Sequence, residues 1–155
     1  MKIQFENNLD YQNRAIESIV NIFEGQEICQ SNFTVTAIND NLLTYQNDLG
    51  IGNRLELLDD EILSNVQQIQ LKNGLPQTKG VKDIKTMDFS VEMETGTGKT
   101  YVYLKTIFEM NKKFGFTKFI IVVPSIAIKD GTNKTLEITN EHFKGLFDNV
   151  NYDYF

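Results

Sequence analysis

Cysteine is nearly absent from this 155-residue chain, which contains a single one, Cys29. One cysteine cannot form an internal disulfide, so a cross-linked scaffold is excluded. The N-terminal residues Met1–Glu6 lack the apolar stretch of a secretory signal. Both absences favour a protein of the reducing cytoplasm.

Long hydrophobic runs are also missing. The longest, Phe119–Val123, falls far short of the ~20 apolar residues that a membrane-spanning helix needs. We therefore expect no membrane partner. A short apolar run of this kind is typical of a strand that is buried on both faces of a parallel sheet.

Positive charge is in deficit, with 15 basic residues against 21 acidic ones and a net charge of -6. This sign disfavours a domain that holds DNA mainly through a basic surface. It leaves open a DNA-facing groove shared with other domains. Hydrophobic residues at 41% and charged residues at 23% are ordinary for a folded soluble domain.

A glycine-rich motif, Glu94–Thr100 (ETGTGKT), carries most of the functional information. Backbone N–H groups in such a turn point at phosphate, and the following helix adds its positive N-terminal end. Lys99 would reach the β- and γ-phosphate oxygens, and the Thr100 hydroxyl would ligate Mg²⁺. These two residues are the predicted catalytic residues. The predicted nucleotide-binding residues of the loop are Thr95, Gly96, Thr97, Gly98, Lys99 and Thr100.

The context of the motif favours nucleotide binding over a simple helix-capping turn. A strand-like segment, Phe89–Met93, precedes the loop, a helix over Lys99–Lys113 follows it, and a second apolar strand, Lys118–Val123, comes next. Met93 occupies a position where the strict pattern has glycine, which is typical of the relaxed motif of helicase-type motors. The predicted fold class is therefore α/β, a P-loop NTPase (RecA-like) domain whose parallel sheet is flanked by helices.

The rest of the chain predicts additions to this partial domain. An N-terminal helix is expected over Asp10–Phe23, with Asp10 as its cap. A small insert, approximately residues 30–86, would hold a hairpin near residues 30–45 and a helix. That helix would be capped by Asp59 or Asp60. A final helix would open at one of two threonines, Thr132 or Thr135.

The insert helix is predicted to place Ile62, Val66 and Ile69 on one face and to stop at Gly74. The acidic cluster 59–61 is better explained as favourable charge at a helix start than as a metal site. His142, the only histidine, is expected at a solvated helix position without a catalytic role.

Two polar sites allow more than one interpretation. The Gln12 side chain offers both a donor and an acceptor to an adenine edge, or it is a surface glutamine of an amphipathic helix. Pro124 and Ser125 follow the second strand, where open α/β sheets bind ligands. A hydroxyl and backbone amides there either hold a DNA phosphate or form a plain strand-to-helix turn.

Three segments together resemble the restriction (Res) subunit of type III restriction-modification enzymes, which are superfamily 2 helicase-like ATPases. They are Leu9–Gln12 (LDYQ), Met93–Thr100 (METGTGKT) and Ile121–Ile128 (IVVPSIAI). The resemblance covers the start of the chain and nearly everything from Asp88 onward. It is less distinct in the insert.

The resemblance implies an adenine-sensing role for Gln12 and a DNA-backbone contact at Pro124 and Ser125. It implies ATP and Mg²⁺ as cofactors, with hydrolysis coupled to movement along double-stranded DNA and to cleavage. It also implies a methyltransferase (Mod) subunit as partner. We expect residues 1–155 to be the N-terminal part of the helicase ATP-binding domain, without the second motor domain or the nuclease domain, and inactive alone.

Three alternatives remain open at this stage. The chain would instead be the ATP-binding lobe of another superfamily 2 DNA or RNA helicase, or a truncated nucleotide-binding interaction module without catalysis. A P-loop kinase ranks last, because the segment after Val123 offers no arginine for a lid.

Overall fold

The computed structural model describes Glu6, residues 8–29 and residues 53–155. Within these ranges the chain forms four α-helices, which are α1 (Asp10–Val20), α2 (Asp59–Lys72), α3 (Lys99–Phe114) and α4 (Ile126–Leu146). Two 3-10 turns, Asn21–Phe23 and Val81–Asp83, accompany them. The hairpin predicted near residues 30–45 lies outside the described residues.

The predicted α/β class is wrong for the described residues, because none of them lies in a strand or sheet. The two segments expected as parallel strands, Phe89–Met93 and Lys118–Val123, run without regular structure. A strand requires a neighbour that supplies backbone donors and acceptors along its length, and apolar sequence alone does not provide one. Ile120 is 91% exposed and Val122 89% exposed, the opposite of a doubly buried strand.

α1 places its apolar residues inward as predicted, with Ile16 and Val20 buried. Asp10 is the first helical residue and not the cap, which is Leu9 and makes no side-chain bond. Beyond Val20 the chain tightens into the Asn21–Phe23 turn.

α2 confirms the predicted insert helix. Its N-cap is Leu58, and the Glu61 carboxylate accepts the Leu58 N–H at 2.8 Å. Acidic residues in this first turn also face the positive end of the helix. Ile62 and Val66 are buried on the predicted face.

α3 follows the glycine loop directly and ends where the sequence predicts, at Gly115, which adopts a left-handed φ of 72°. Val102 and Phe108 point inward. The helix lies between α1 and α4 and contributes to the apolar core on both sides.

α4 begins at Ile126, earlier than the predicted starts at Thr132 or Thr135, which were wrong. Ser125 is the N-cap, and its Oγ accepts the Ile128 N–H at 3.4 Å. Gly131 is accommodated inside the helix, so it does not end the segment as a turn residue would.

Three apolar clusters hold the described residues together. One joins α1 and α3 through Ile16, Val20, Val102, Phe114 and Phe116. A second joins α3 and α4 through Leu104, Phe108, Leu136, Phe143 and Phe147. A third joins α2 to the 3-10 turns through Ile22, Ile62, Val66 and Ile84.

Candidate nucleotide-binding loop

The glycine loop enters α3 through two left-handed residues. Gly96 has φ 83° and Gly98, the N-cap of α3, has φ 81°. The Thr97 hydroxyl donates to the Glu94 carbonyl at 2.7 Å and closes the turn between them. A side chain at either glycine position would strain the backbone, so the residue type and the loop shape agree.

The loop presents the groups that a polyphosphate needs. Lys99 is the first residue of α3 and is exposed, while Thr100 beside it is half-buried. A 16-residue helix leaves its first N–H groups without helical acceptors and concentrates positive potential there. No atom lies within 4 Å of where a Gly96 Cβ would stand, so this side of the loop is open. The donor set therefore fits a bound triphosphate.

Gln12 of α1 lies against this loop. Its side chain is 6% exposed, and Nε2 donates to the Thr97 carbonyl at 2.9 Å across 85 residues of chain. A Cβ on Gly98 would stand 2.7 Å from the same nitrogen. The structure thus brings Gln12 to the loop as a buried, bonded residue, and its adenine-sensing role stays a prediction.

Pro124 and Ser125 lie on the surface at the N-terminus of α4. All residues from 124 to 131 are exposed. Because Ser125 Oγ already caps the helix, the serine has a structural task in the described state. Contact with DNA at these two residues stays a prediction.

Lys105 was missed by sequence reasoning, because a lysine in a helix is normally solvated. It is 9% exposed in α3, and its Nζ donates to Asn13 Oδ1 of α1 at 3.1 Å. Burial lowers the pKa of Lys105, and the nearby Glu109 carboxylate opposes that shift. α1 thus contacts the loop through Gln12 and the body of α3 through Asn13.

His142 was expected at a solvated helix position, but in α4 it is half-buried. Its Nε2 lies 2.8 Å from the Tyr101 hydroxyl, and the ring is half-buried beside Phe143. Burial lowers the pKa of His142, and the positive charge of Lys105 lowers it further. Burial raises the pKa of the Tyr101 hydroxyl. Tyr101 directly follows Thr100, so this bond ties the first turn of α3 to α4.

Acidic metal ligands are not gathered at the loop. Across the described ranges, no three His, Cys, Asp or Glu side chains are grouped as metal ligands would be. Among those same residues, no helix is both long enough and apolar enough to cross a membrane.

The described site is a glycine turn at the start of α3, which lies between α1 and α4. Comparison with known sequences specifies the class, because the model of the family "Type III restriction enzyme, res subunit" matches residues 7–152. The chain belongs to this family.

Three relatives show how the match is distributed. The chain is 36% identical to the EcoPI Res subunit of Escherichia phage P1, over 90% of this chain and 14% of that protein. It is 36% identical to the EcoP15I Res subunit of Escherichia coli, over 90% of this chain and 13% of that one. Identity to the StyLTI Res subunit of Salmonella typhimurium is 43%, over 41% of this chain and 7% of that one. The chain thus spans about a seventh of the length of the first two relatives.

Proposed function

We propose that the chain is the ATP-binding lobe of a DNA-dependent ATPase and translocase of a type III restriction endonuclease. In the full-length enzyme, ATP hydrolysis would be coupled to DNA translocation and cleavage. The observation that supports this best is the open loop with two left-handed glycines and an exposed Lys99 at the start of α3. Membership of the Res family favours the restriction enzyme over other helicases.

Each loop residue has a distinct proposed task. The left-handed glycines let backbone N–H groups approach phosphate, and Lys99 neutralises charge on the β- and γ-phosphates. The Thr100 hydroxyl is the proposed Mg²⁺ ligand. When bound, ATP supplies the phosphoanhydride bond whose hydrolysis releases energy, and Mg²⁺ screens its charge.

The proposed partners are double-stranded DNA and a methyltransferase (Mod) subunit, with Pro124 and Ser125 as the candidate DNA contact and the cytoplasm as location. The net charge of -6 suggests that this chain alone holds DNA weakly. Because the chain spans only about a seventh of the length of the first two relatives, we expect nucleotide binding without efficient turnover by the isolated chain.

Binding of a fluorescent ATP analogue with Mg²⁺, measured by titration, tests the proposal. We expect Lys99→Ala to weaken binding by roughly tenfold to a hundredfold, because a charge-assisted contact is worth about 1.5–3 kcal/mol. The matched control is Lys82→Ala, an exposed lysine in the Val81–Asp83 turn beside α2, which should bind like the parent.

Hydrolysis is measured in the same preparations with and without duplex DNA. Lys99-dependent binding with negligible turnover agrees with an ATP-binding lobe. Equal binding by the parent and Lys99→Ala would refute the proposed site. DNA-stimulated hydrolysis by this chain alone would contradict the expectation that further domains are needed.

A further inference from the structure

The Gln12 side chain contacts the phosphate-binding loop and not a solvent-facing cleft. Its Nε2 donates to the Thr97 carbonyl at 2.9 Å, and the whole residue is 6% exposed. Thr97 lies between the two left-handed glycines, so this bond holds the part of the loop with the most unusual backbone.

Gly98 makes this contact possible. A Cβ there would stand 2.7 Å from Gln12 Nε2, closer than nonbonded atoms allow, so only glycine leaves room for the amide. Gly98 therefore meets two requirements, its left-handed φ of 81° and the close approach of a side chain from α1.

The rest of α1 is fixed where this contact needs it. Ile16 and Val20 pack into the apolar cluster with α3, and Asn13 Oδ1 accepts from the buried Lys105 ammonium at 3.1 Å. A rigidly placed donor lowers the entropy that the loop loses when it binds a ligand.

We propose that Gln12 is a positioning residue of the phosphate loop, which supports binding of the triphosphate whatever base is attached to it. This inference rests on the proposed function and deepens it. It differs from base recognition, in which Gln12 would affect ATP but not a ligand that has no base.

Inorganic tripolyphosphate with Mg²⁺ is the ligand that separates the two roles. Its binding and that of ATP are measured by calorimetry for the parent, Gln12→Met and Gln12→Asn. Methionine retains the length of the side chain without the donor, whereas asparagine retains the amide but shortens its reach. We expect Gln12→Met to weaken both ligands by the same factor, about three- to tenfold, with Gln12→Asn between it and the parent.

Gln67→Met is the matched control, because Gln67 Nε2 also donates from a helix to a loop carbonyl, that of Thr78, at 2.8 Å. We expect this variant to bind both ligands like the parent. A reduced affinity in Gln67→Met equal to that in Gln12→Met would mean general destabilisation and would overturn the proposal. Circular dichroism identifies a variant that fails to fold, and Gln12→Asn then provides the test.

Amide hydrogen exchange in the ligand-free proteins gives a second readout. Faster exchange at Thr97–Lys99 in Gln12→Met, with α2 unchanged, is expected. If only ATP binding weakened while tripolyphosphate binding and exchange stayed as in the parent, Gln12 would act at the base and the proposal would be wrong. If the parent bound neither ligand through Lys99, the proposed function would fail, whereas the exchange result would still report on the loop.

Discussion

At the scale of single residues, the loop glycines differ in what surrounds them. Gly96 and Gly98 share a left-handed φ, but a Cβ at Gly98 would come within 2.7 Å of the Gln12 side chain, whereas a Cβ at Gly96 would meet nothing within 4 Å. Alanine at either position meets the left-handed penalty of about 1–2 kcal/mol. At Gly98 it also displaces the Gln12 amide from the Thr97 carbonyl.

We expect Gly98→Ala to lower the free energy of unfolding by about 1 kcal/mol more than Gly96→Ala, the value of one hydrogen bond. Urea denaturation measures both. In a Gln12→Ala background the difference should shrink, because both the hydrogen bond and the side-chain end that the added Cβ would meet are gone. A difference that persisted unchanged in that background would show that Gln12 is not its cause.

The half-buried His142 makes stability depend on pH. The pKa of His142 is lowered by burial and by Lys105, so the unfolded chain takes up the proton at a higher pH than the folded chain. Stability is therefore unaffected by this group above the ordinary pKa of about 6.5 and decreases as pH falls below it.

His142→Gln retains a hydrogen-bonding side chain for Tyr101 but does not titrate. We expect the urea midpoint of the parent to fall more than that of His142→Gln between about pH 7 and about pH 5. Parallel curves for the two proteins would show that His142 does not contribute to the acid sensitivity.

At the scale of elements, the α3–α4 pair depends on one aromatic residue. Phe143 is 0% exposed and packs against Tyr101, Phe108 and Phe147. Phe143→Ala should lower the free energy of unfolding by about 3–5 kcal/mol, because it leaves a large cavity.

Ile138 on the same helix is 44% exposed and serves as the control for Phe143. Ile138→Ala should lower the free energy of unfolding by much less than Phe143→Ala does. Similar losses in both, measured by urea denaturation, would mean that α4 is not held by its aromatic face.

A helix was predictable from the sequence where apolar residues recur at helical spacing and a glycine marks the end of the helix. α2 and α3 fulfil both conditions, the latter ending at Gly115. The α4 start was missed because the helix was expected to begin at Thr132 or Thr135, whereas Ser125 is the N-cap and the helix begins at Ile126. The strand Lys118–Val123 failed because pairing depends on a neighbour that periodicity does not reveal.

In the candidate site, too, local features were predictable from the sequence, whereas contacts between distant residues were not. The glycine turn at Glu94–Thr100 and the helix after it were predicted from residue types that phosphate chemistry requires, and nucleotide binding by this loop stays a prediction. The contact of Gln12 with Thr97 joins residues that are 85 positions apart in the chain. Patterns of neighbouring residues cannot predict a contact over that separation. The Lys105–Asn13 and His142–Tyr101 contacts were missed because they depend on how α3 packs between its neighbours.

At the scale of the whole molecule, the described surface has an exposed apolar segment that contains Ile120 and Val122. Ile120 and Val122 are 91% and 89% exposed, on backbone that is not paired with any described strand. Exposed apolar extended segments promote association between chains.

We expect the double variant Ile120→Lys, Val122→Lys to bind less of the dye ANS and to remain monomeric at higher concentration than the parent in light scattering. Ile138→Lys, which alters an isolated exposed side chain, is the control and should behave like the parent. Equal association of all three proteins would show that the segment containing Ile120 and Val122 does not mediate association between chains.

The contact between Gln12 and Thr97 also has consequences for the entropy and the order of folding. Closing a loop of 85 residues costs entropy that grows only with the logarithm of its length. Lengthening or shortening the chain between α1 and the glycine loop by some tens of residues therefore changes that cost by only a few tenths of a kcal/mol. We expect the loop to acquire this support late in folding, because the two segments that form it are far apart in the chain. The entropy of loop closure therefore constrains the length of this intervening chain only weakly, whereas the contact itself requires that the two ends fit each other.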